Sequence, residues 1–272
     1  MDISKYGVLP VLLLLTISML GCSENHDAEN QKQDPSFKKD DSILSATVQN
    51  PQPSASREVE HNSSIGKMKE AIQLLTEKLK KTPDDPSLYV QIGNLYLQTR
   101  DTILAINAMK LSILKGNKNP ETLMQLGYLL ANKNDKKCLE YAQLLIQDNM
   151  QQKTAYQGYF LKGIYYANTG DKKEAGLSFD QCIIENYKFT DAYIEKAILL
   201  YESNQFEKSI KLLQKAIEVD KFQAELYYWI GRNSEKLKDL EESKYAYEQT
   251  LALAPDFENA KFRLDSIKKL RK

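Results

Sequence analysis

The 272-residue sequence has only two histidines, one tryptophan and three cysteines. Both histidines, His26 and His61, fall in a polar stretch that precedes the first regular apolar pattern. Serine and cysteine nucleophiles usually rely on a histidine base, and zinc sites usually take histidine as a ligand. The rest of the chain also lacks glycine-rich phosphate loops and G-x-S-x-G. We therefore expect no enzyme activity, no catalytic residue, no metal site and no cofactor.

An excess of charge of either sign is also missing. Lys plus Arg and Asp plus Glu number 37 each, so the formal net charge is zero. Binding to nucleic acid depends on many cations that neutralise phosphates, and this chain has no global field of that kind. We expect protein partners and no nucleic acid.

A long apolar run is present only near the N-terminus, from Val8 to Leu20. Its 13 residues would cover roughly 20 Å as a helix, which is short of a bilayer core of about 30 Å. Lys5 and the free amine precede it, as in signal peptides. Residues 1–21 are therefore predicted to be a signal peptide.

The run ends in Ser18-Met19-Leu20-Gly21-Cys22, which resembles the lipobox of bacterial lipoproteins. The resemblance implies cleavage after Gly21 and attachment of palmitate-type acyl chains at Cys22, so that the membrane becomes a partner. Ser23 at the next position favours the outer membrane, with the rest of the chain in the periplasm. The alternative is an ordinary secretory signal followed by an incidental cysteine.

Residues 22–63 are rich in Asp, Glu, Lys, Asn, Gln, Ser and Pro and have no sustained apolar period. Such a segment buries too little surface to offset the entropy lost on ordering. We predict a disordered tether after the lipidated cysteine.

The remainder repeats with a period of about 34 residues. Small residues recur at intervals of 34, 36, 34 and 34, and they are Gly93, Gly127, Gly163, Ala197 and Gly231. Apolar residues at helical spacing surround each of them, and the small side chain allows a second helix to approach closely. The pattern predicts five pairs of helices.

Eight positions after the small residue, four of the five units have an aspartate that predicts the N-cap of a second helix: Asp101, Asp135, Asp171 and Asp239. The fourth unit has Gln205 at this position. A mostly small residue comes after twelve positions and a mostly large one after sixteen. Leu139 and Gln143 break this rule and make the second unit the most irregular.

These spacings resemble the tetratricopeptide repeat. The resemblance implies an all-α, right-handed α-solenoid of stacked antiparallel helix pairs, with an additional helix at each end. The implied boundaries are 64–85 for an N-terminal half-repeat, 86–119, 120–155, 156–189, 190–223 and 224–257 for five repeats, and 258–272 for a capping helix.

In this family the residues three before and one after the small residue face the concave side. They are Val90, Asn94, Met124, Tyr128, Phe160, Ile164, Ile194, Ile198, Tyr228 and Arg232. Most are apolar or aromatic, which favours a groove for an apolar helix or extended segment of a partner protein. The alternative is a groove filled by the N-terminal segment or by a second copy in a homodimer.

Together these features suggest a membrane-anchored adaptor that binds partner proteins during assembly or remodelling of the bacterial cell envelope. The alternative is a self-assembling structural lipoprotein. Cys138 and Cys182 occupy non-equivalent places in neighbouring repeats, which favours free buried thiols over a disulfide.

Overall fold

A computed structural model describes residues 55–147 and 153–270, with side chains from residue 65 onward. The predicted signal peptide, Cys22 and the predicted tether up to residue 54 lie outside the described residues. The described part is all-α and belongs to one compact unit, Ser54–Lys272. Its twelve helices are α1 Ala55–Lys81, α2 Pro86–Gln98, α3 Thr102–Leu114, α4 Pro120–Ala131, α5 Cys138–Gln147, α6 Ala155–Asn168, α7 Lys172–Glu185, α8 Thr190–Glu202, α9 Phe206–Val219, α10 Ala224–Lys236, α11 Leu240–Leu253 and α12 Glu258–Leu270.

The second helix of most pairs begins at the predicted aspartate. The carboxylates of Asp101, Asp171 and Asp239 each accept a hydrogen bond from the backbone N–H three residues later. Asp135 accepts instead from the N–H of Lys137, and α5 begins only at Cys138. Gln205 makes no side-chain cap.

Consecutive helices pack as antiparallel pairs, and the small residue of the first helix receives a large side chain of the second. A β-carbon on Gly231 would lie 2.6 Å from Cε1 of Tyr247, and one on Gly93 would lie 3.1 Å from Cγ of Met109. Real β-carbons essentially never approach within 3.0 Å, so Gly231 in particular leaves no room for a side chain. These contacts confirm the predicted close approach.

The second unit departs from the predicted register. Two of the three buried residues of α5, Cys138 and Ala142, lie one position before Leu139 and Gln143, where the repeat pattern predicted buried residues. The helix is rotated because two small side chains fit against the preceding helix better than a leucine and a glutamine. A β-carbon on Gly127 would clash with Leu161 of the next unit, so this glycine serves the contact between units.

Helix α1 begins at Ala55, nine residues before the predicted start at residue 64. Its start therefore lies inside the segment 22–63 that was predicted to be disordered. The residues from Ala55 to His61 are mostly helix formers, and a helix propagates easily from a segment that is already anchored. From Ile65 onward, half-buried apolar residues recur at helical spacing where α1 packs against α2.

Helix α12 covers the last pair. Ala260, Leu264 and Ile267 are buried in one cluster with residues of α10 and α11. At its edge, Nη1 of Arg263 lies 3.1 Å from Oε2 of Glu235 on α10. No helix of residues 55–147 or 153–270 is long and apolar enough to cross a membrane.

Candidate functional site

The first helices of the five units are α2, α4, α6, α8 and α10. The ten predicted groove residues lie on one face of these helices, which we call the inner face. Residues of neighbouring units meet there. The rings of Tyr128 and Phe160 stack with centroids 6.5 Å apart and an interplanar angle of 5°. Further along, Arg232 reaches Tyr201 of the preceding unit.

Most of the predicted groove residues are covered by their neighbours. Six are buried, namely Met124, Tyr128, Phe160, Ile164, Ile194 and Tyr228, and four are half-buried, namely Val90, Asn94, Ile198 and Arg232. Phe160 shows the cause, since its ring centroid lies 6.0 Å from that of Phe179 and 5.0 Å from that of Phe189. The apolar side chains thus join one unit to the next. Their role in binding a partner stays a prediction.

Arg232 lies among three aromatic rings. Its Cζ is 5.4 Å from the ring centroid of Tyr201, 5.9 Å from that of Tyr228 and 5.6 Å from that of Trp229. Its Nη1 and Nη2 donate to the hydroxyls of Tyr228 and Tyr201, each over 3.1 Å. The rings and hydroxyls stabilise the cation in place of a carboxylate.

Three carboxylates interact with one another on α8 and α10, and we call them the acidic group: Asp191 and Glu195 on α8, and Glu225 on α10. Glu225 also interacts with the indole N–H of Trp229. All three are half-buried. Burial raises the pKa of Glu195 to about 8, and repulsion from Glu225 and Asp191 adds to this shift. Burial also raises the pKa of Glu225 to about 7, with a further contribution from Asp191.

Asp191 also accepts a side-chain hydrogen bond. Its Oδ1 accepts from Nε2 of Gln223 over 3.1 Å. Burial nevertheless raises its pKa, and the bond from Gln223 opposes this shift. The inner face thus contains both aromatic rings and carboxylates whose pKa values are raised.

The repeat pattern did not predict the acidic group. A signal was present, because Asp191 and Glu195 are spaced i, i+4 and therefore share a face of α8. Their neighbour Glu225 stands six positions before Gly231, as Asp191 stands six positions before Ala197. Equivalent positions of consecutive units lie side by side in a stack, so acidic residues at both predict a shared patch.

Cys138 and Cys182 are both buried and unpaired, as predicted. Burial raises the pKa of Cys138 to about 12 and also raises that of Cys182. Within the described residues, no group of three or more His, Cys, Asp or Glu side chains is arranged to hold a metal ion.

Comparison with known families identifies the repeat. The tetratricopeptide-repeat model matches residues 156–183, 190–223 and 224–257, which lie in the third, fourth and fifth units. The third, fourth and fifth units therefore contain tetratricopeptide repeats. The α-solenoid formed by the stacked helix pairs is the architecture of this family. No curated protein sequence matches the chain.

Solved structures of other repeat proteins are similar to this helical domain. A tetratricopeptide repeat protein from Parabacteroides merdae has a TM-score of 0.61 and 18% identity, over 75% of this chain and 78% of that one. PilW, a type IV pilus biogenesis factor, has a TM-score of 0.60 and 16% identity, over 77% of this chain and 94% of that one. Yeast Tom70 has a TM-score of 0.58 and 17% identity, over 74% of this chain and 43% of that one. At these identities the similarity concerns the fold alone.

Proposed function

We propose that the protein is a membrane-anchored adaptor of the bacterial cell envelope that binds a partner protein at the inner face of its fourth and fifth repeats. Tetratricopeptide repeats are generally protein-interaction scaffolds without enzymatic activity. The resemblance of Ser18–Cys22 to a lipobox supports the anchor. The site in these repeats suits a partner segment that carries lysine or arginine side chains.

The acidic group is the observation that carries this proposal. None of its three members takes part in the ion pairs found among the described residues. Carboxylates that are removed from water without a cation are costly, which is why the pKa values of Glu195 and Glu225 are raised. A cationic side chain from a partner would restore their ionised form.

The aromatic residues around the acidic group fit the same type of ligand. Tyr128 is buried, and its hydroxyl interacts electrostatically with all three carboxylates. Trp229 is also buried, and its indole N–H faces the carboxylate of Glu225, whose pKa this contact lowers. Aromatic faces and carboxylates together bind lysine and arginine side chains. Arg232 already occupies such a setting within the domain.

Calorimetry with a lysine-rich helical peptide and an acidic peptide of equal length tests the site. We expect the basic peptide alone to bind, and its affinity to rise from about pH 6 to pH 9 as Glu225 and Glu195 ionise. Glu195→Gln combined with Glu225→Gln should weaken binding by roughly tenfold or more.

The matched control is Glu207→Gln combined with Glu218→Gln, which removes the same charge from exposed positions on α9. If both pairs of substitutions weaken binding equally, attraction by net charge explains the result and the inner face is not the site. For a natural partner, a photocrosslinking residue at half-buried Ile198 is preferable to Tyr128→Glu, because that substitution would bury a charge.

The anchor has a separate test. Mass spectrometry of the protein from membranes of its host should find an acylated N-terminal Cys22 and no residues before it. Cys22→Ser should release the chain from the membrane pellet. An intact unmodified Cys22 thiol in the mature protein would refute the anchor and leave the proposed binding site unaffected.

A further inference from the structure

Helix α3 exposes four aliphatic side chains on its outer face, and we call them the α3 stripe: Ile103, Leu104, Leu111 and Leu114. Their exposed fractions are 66%, 40%, 43% and 79%. The opposite face of the helix packs through Ala105 and Met109, which are fully buried. The α3 stripe therefore lies outside the buried core of its own repeat, and Ile103 and Leu114 are mostly exposed.

The corresponding positions of the fourth repeat show that stacking of the repeats does not require apolar residues at the α3 stripe. The equivalents of the four α3 residues on α9 are Glu207, Lys208, Lys215 and Glu218. Both helices occupy the second position of a helix pair, and both bury their other face. The apolar character of the α3 stripe thus serves something outside the fold.

The surroundings of the α3 stripe are basic. Residues 55–118, which comprise α1 to α3 and the following turn, contain ten Lys or Arg and seven Asp or Glu. Residues 119–270 contain 21 basic and 23 acidic side chains. Helix α3 has no acidic residue and one basic residue, Lys110. An occupant with negative charge would complement this end of the domain.

The composition and size of the α3 stripe favour a lipid surface over a protein. Binding hot spots between proteins are rich in Trp, Tyr and Arg, whereas leucine is under-represented. One face of a 13-residue helix is also small compared with the roughly 800 Å² that each partner buries in a standard interface. Aliphatic residues flanked by lysines are typical of helices that lie at a membrane surface.

The position of α3 in the chain agrees with this occupant. It belongs to the first repeat, and 33 positions separate Cys22 from the start of α1 at Ala55. A lipid at Cys22 would hold this end of the domain nearest to the membrane. Only this closeness to the membrane depends on the proposed anchor, while the α3 stripe and the basic surroundings are independent of it.

We propose that the outer face of α3 docks onto an anionic lipid surface, with the α3 stripe in contact with the acyl boundary and the basic side chains around it near the headgroups. The partner site proposed at the inner face of the fourth and fifth repeats lies on other helices, α8 and α10, so the two proposals do not compete for one surface. The domain would then lie on the membrane by its first repeat.

Vesicle co-sedimentation tests the proposal with the chain from residue 22 onward carrying Cys22→Ser, so that no lipid anchor contributes. The vesicles contain equal parts of phosphatidylethanolamine and phosphatidylglycerol, and a second set contains phosphatidylcholine alone. We expect binding to the anionic vesicles only. Ile103→Glu combined with Leu114→Glu, both at highly exposed positions, should weaken it by at least about tenfold.

Leu177→Glu combined with Ile184→Glu on α7 is the matched control. Ile184 is the register equivalent of Leu114 and is 71% exposed, so the control removes similar apolar surface from the third repeat. Its binding should equal that of the parent chain. Equal losses in both pairs, or no binding by the parent, would overturn the proposal.

A fluorescent label locates the contact. An environment-sensitive dye on Ile103→Cys should shift to the blue when anionic vesicles are added, and the same dye on Ile184→Cys should not. Light scattering without lipid tests whether a second copy of the chain binds the α3 stripe. If the parent chain is a dimer that Ile103→Glu combined with Leu114→Glu converts to a monomer, a second copy covers the α3 stripe and the lipid proposal is wrong.

Discussion

The ring of Phe179 packs against Gly163 and occupies the space that a β-carbon on this residue would need. This contact joins α6 to α7 inside the third repeat, and the ring is fully buried. Helix propensity alone would favour alanine over glycine at this position. Packing decides the residue instead.

We therefore expect Gly163→Ala to lower the free energy of unfolding by about 1–3 kcal/mol, as is usual for overpacked cores. Gly176→Ala in α7 is the control, since the nearest atom to its new β-carbon would be Cδ2 of Leu199 at 3.7 Å. It should stabilise the domain by about 0.5–1 kcal/mol. Urea denaturation of both variants measures the difference, and two changes of the same sign would contradict this account.

The missing cap of α9 gives a second prediction. Gln205 makes no side-chain cap, whereas aspartate at the equivalent position caps α3, α7 and α11. Gln205→Asp should accept the N–H of Lys208 and stabilise the domain by about 0.5–1 kcal/mol. Gln205→Ala should change the thermal midpoint little. A gain from alanine equal to that from aspartate would mean that capping is not the cause.

Glu195 makes the stability of the domain depend on pH. Its pKa is about 8 in the folded chain against an ordinary value of 4.5, so the folded state holds the proton more tightly than the unfolded state. The stabilisation is complete below the ordinary pKa and is lost as the pH rises through about 8. Glu225, with a pKa of about 7, acts in the same direction.

Urea denaturation over a pH series should therefore show the parent chain losing stability between about pH 5 and pH 8, and Glu195→Gln should flatten this decline. The variant should also be the more stable of the two at about pH 8. Exposed Glu207→Gln serves as the control and should follow the parent. Parallel curves for Glu195→Gln and the parent would show that this carboxyl ionises freely.

The two cysteines of the domain should resist alkylation in the folded state. Both are buried, and burial raises the pKa of each thiol, so little reactive thiolate is present. In a chain with Cys22→Ser, mass spectrometry should find no modification by iodoacetamide in buffer and two modifications in urea. Ile103→Cys, at an exposed position, should add one modification in buffer. Rapid labelling of Cys138 would show that α5 opens readily.

The period of 34 residues predicted the helix pairs and the close contacts at Gly93, Gly163 and Gly231 because backbone spacing and residue size determine both. It did not predict the rotation of α5. In that helix Leu139 and Gln143 stand in the expected positions, but Cys138 and Ala142 fit the space better. Which of the two helix registers forms depends on how the side-chain volumes pack, and a spacing pattern carries no information about these volumes.

The inner face shows a second limit of pattern reasoning. Helical position predicted which side chains share this face, and Tyr128 and Phe160 do meet there. Their burial depends on rings from outside the pattern, such as Phe189, which lies 5.0 Å from Phe160 and just precedes α8. For the same reason, the pKa values of Glu195 and Glu225 follow from tertiary burial and not from their sequence neighbours.

Helix α12 also governs how copies of the protein can associate. Ala260, Leu264 and Ile267 occupy the surface of the fifth repeat on which a further repeat would stack. A second molecule therefore cannot continue the solenoid head-to-tail from this end. Open-ended fibres require a contact that each added copy leaves available to the next. With that surface occupied, growth of a filament by repeat stacking is blocked at its first step.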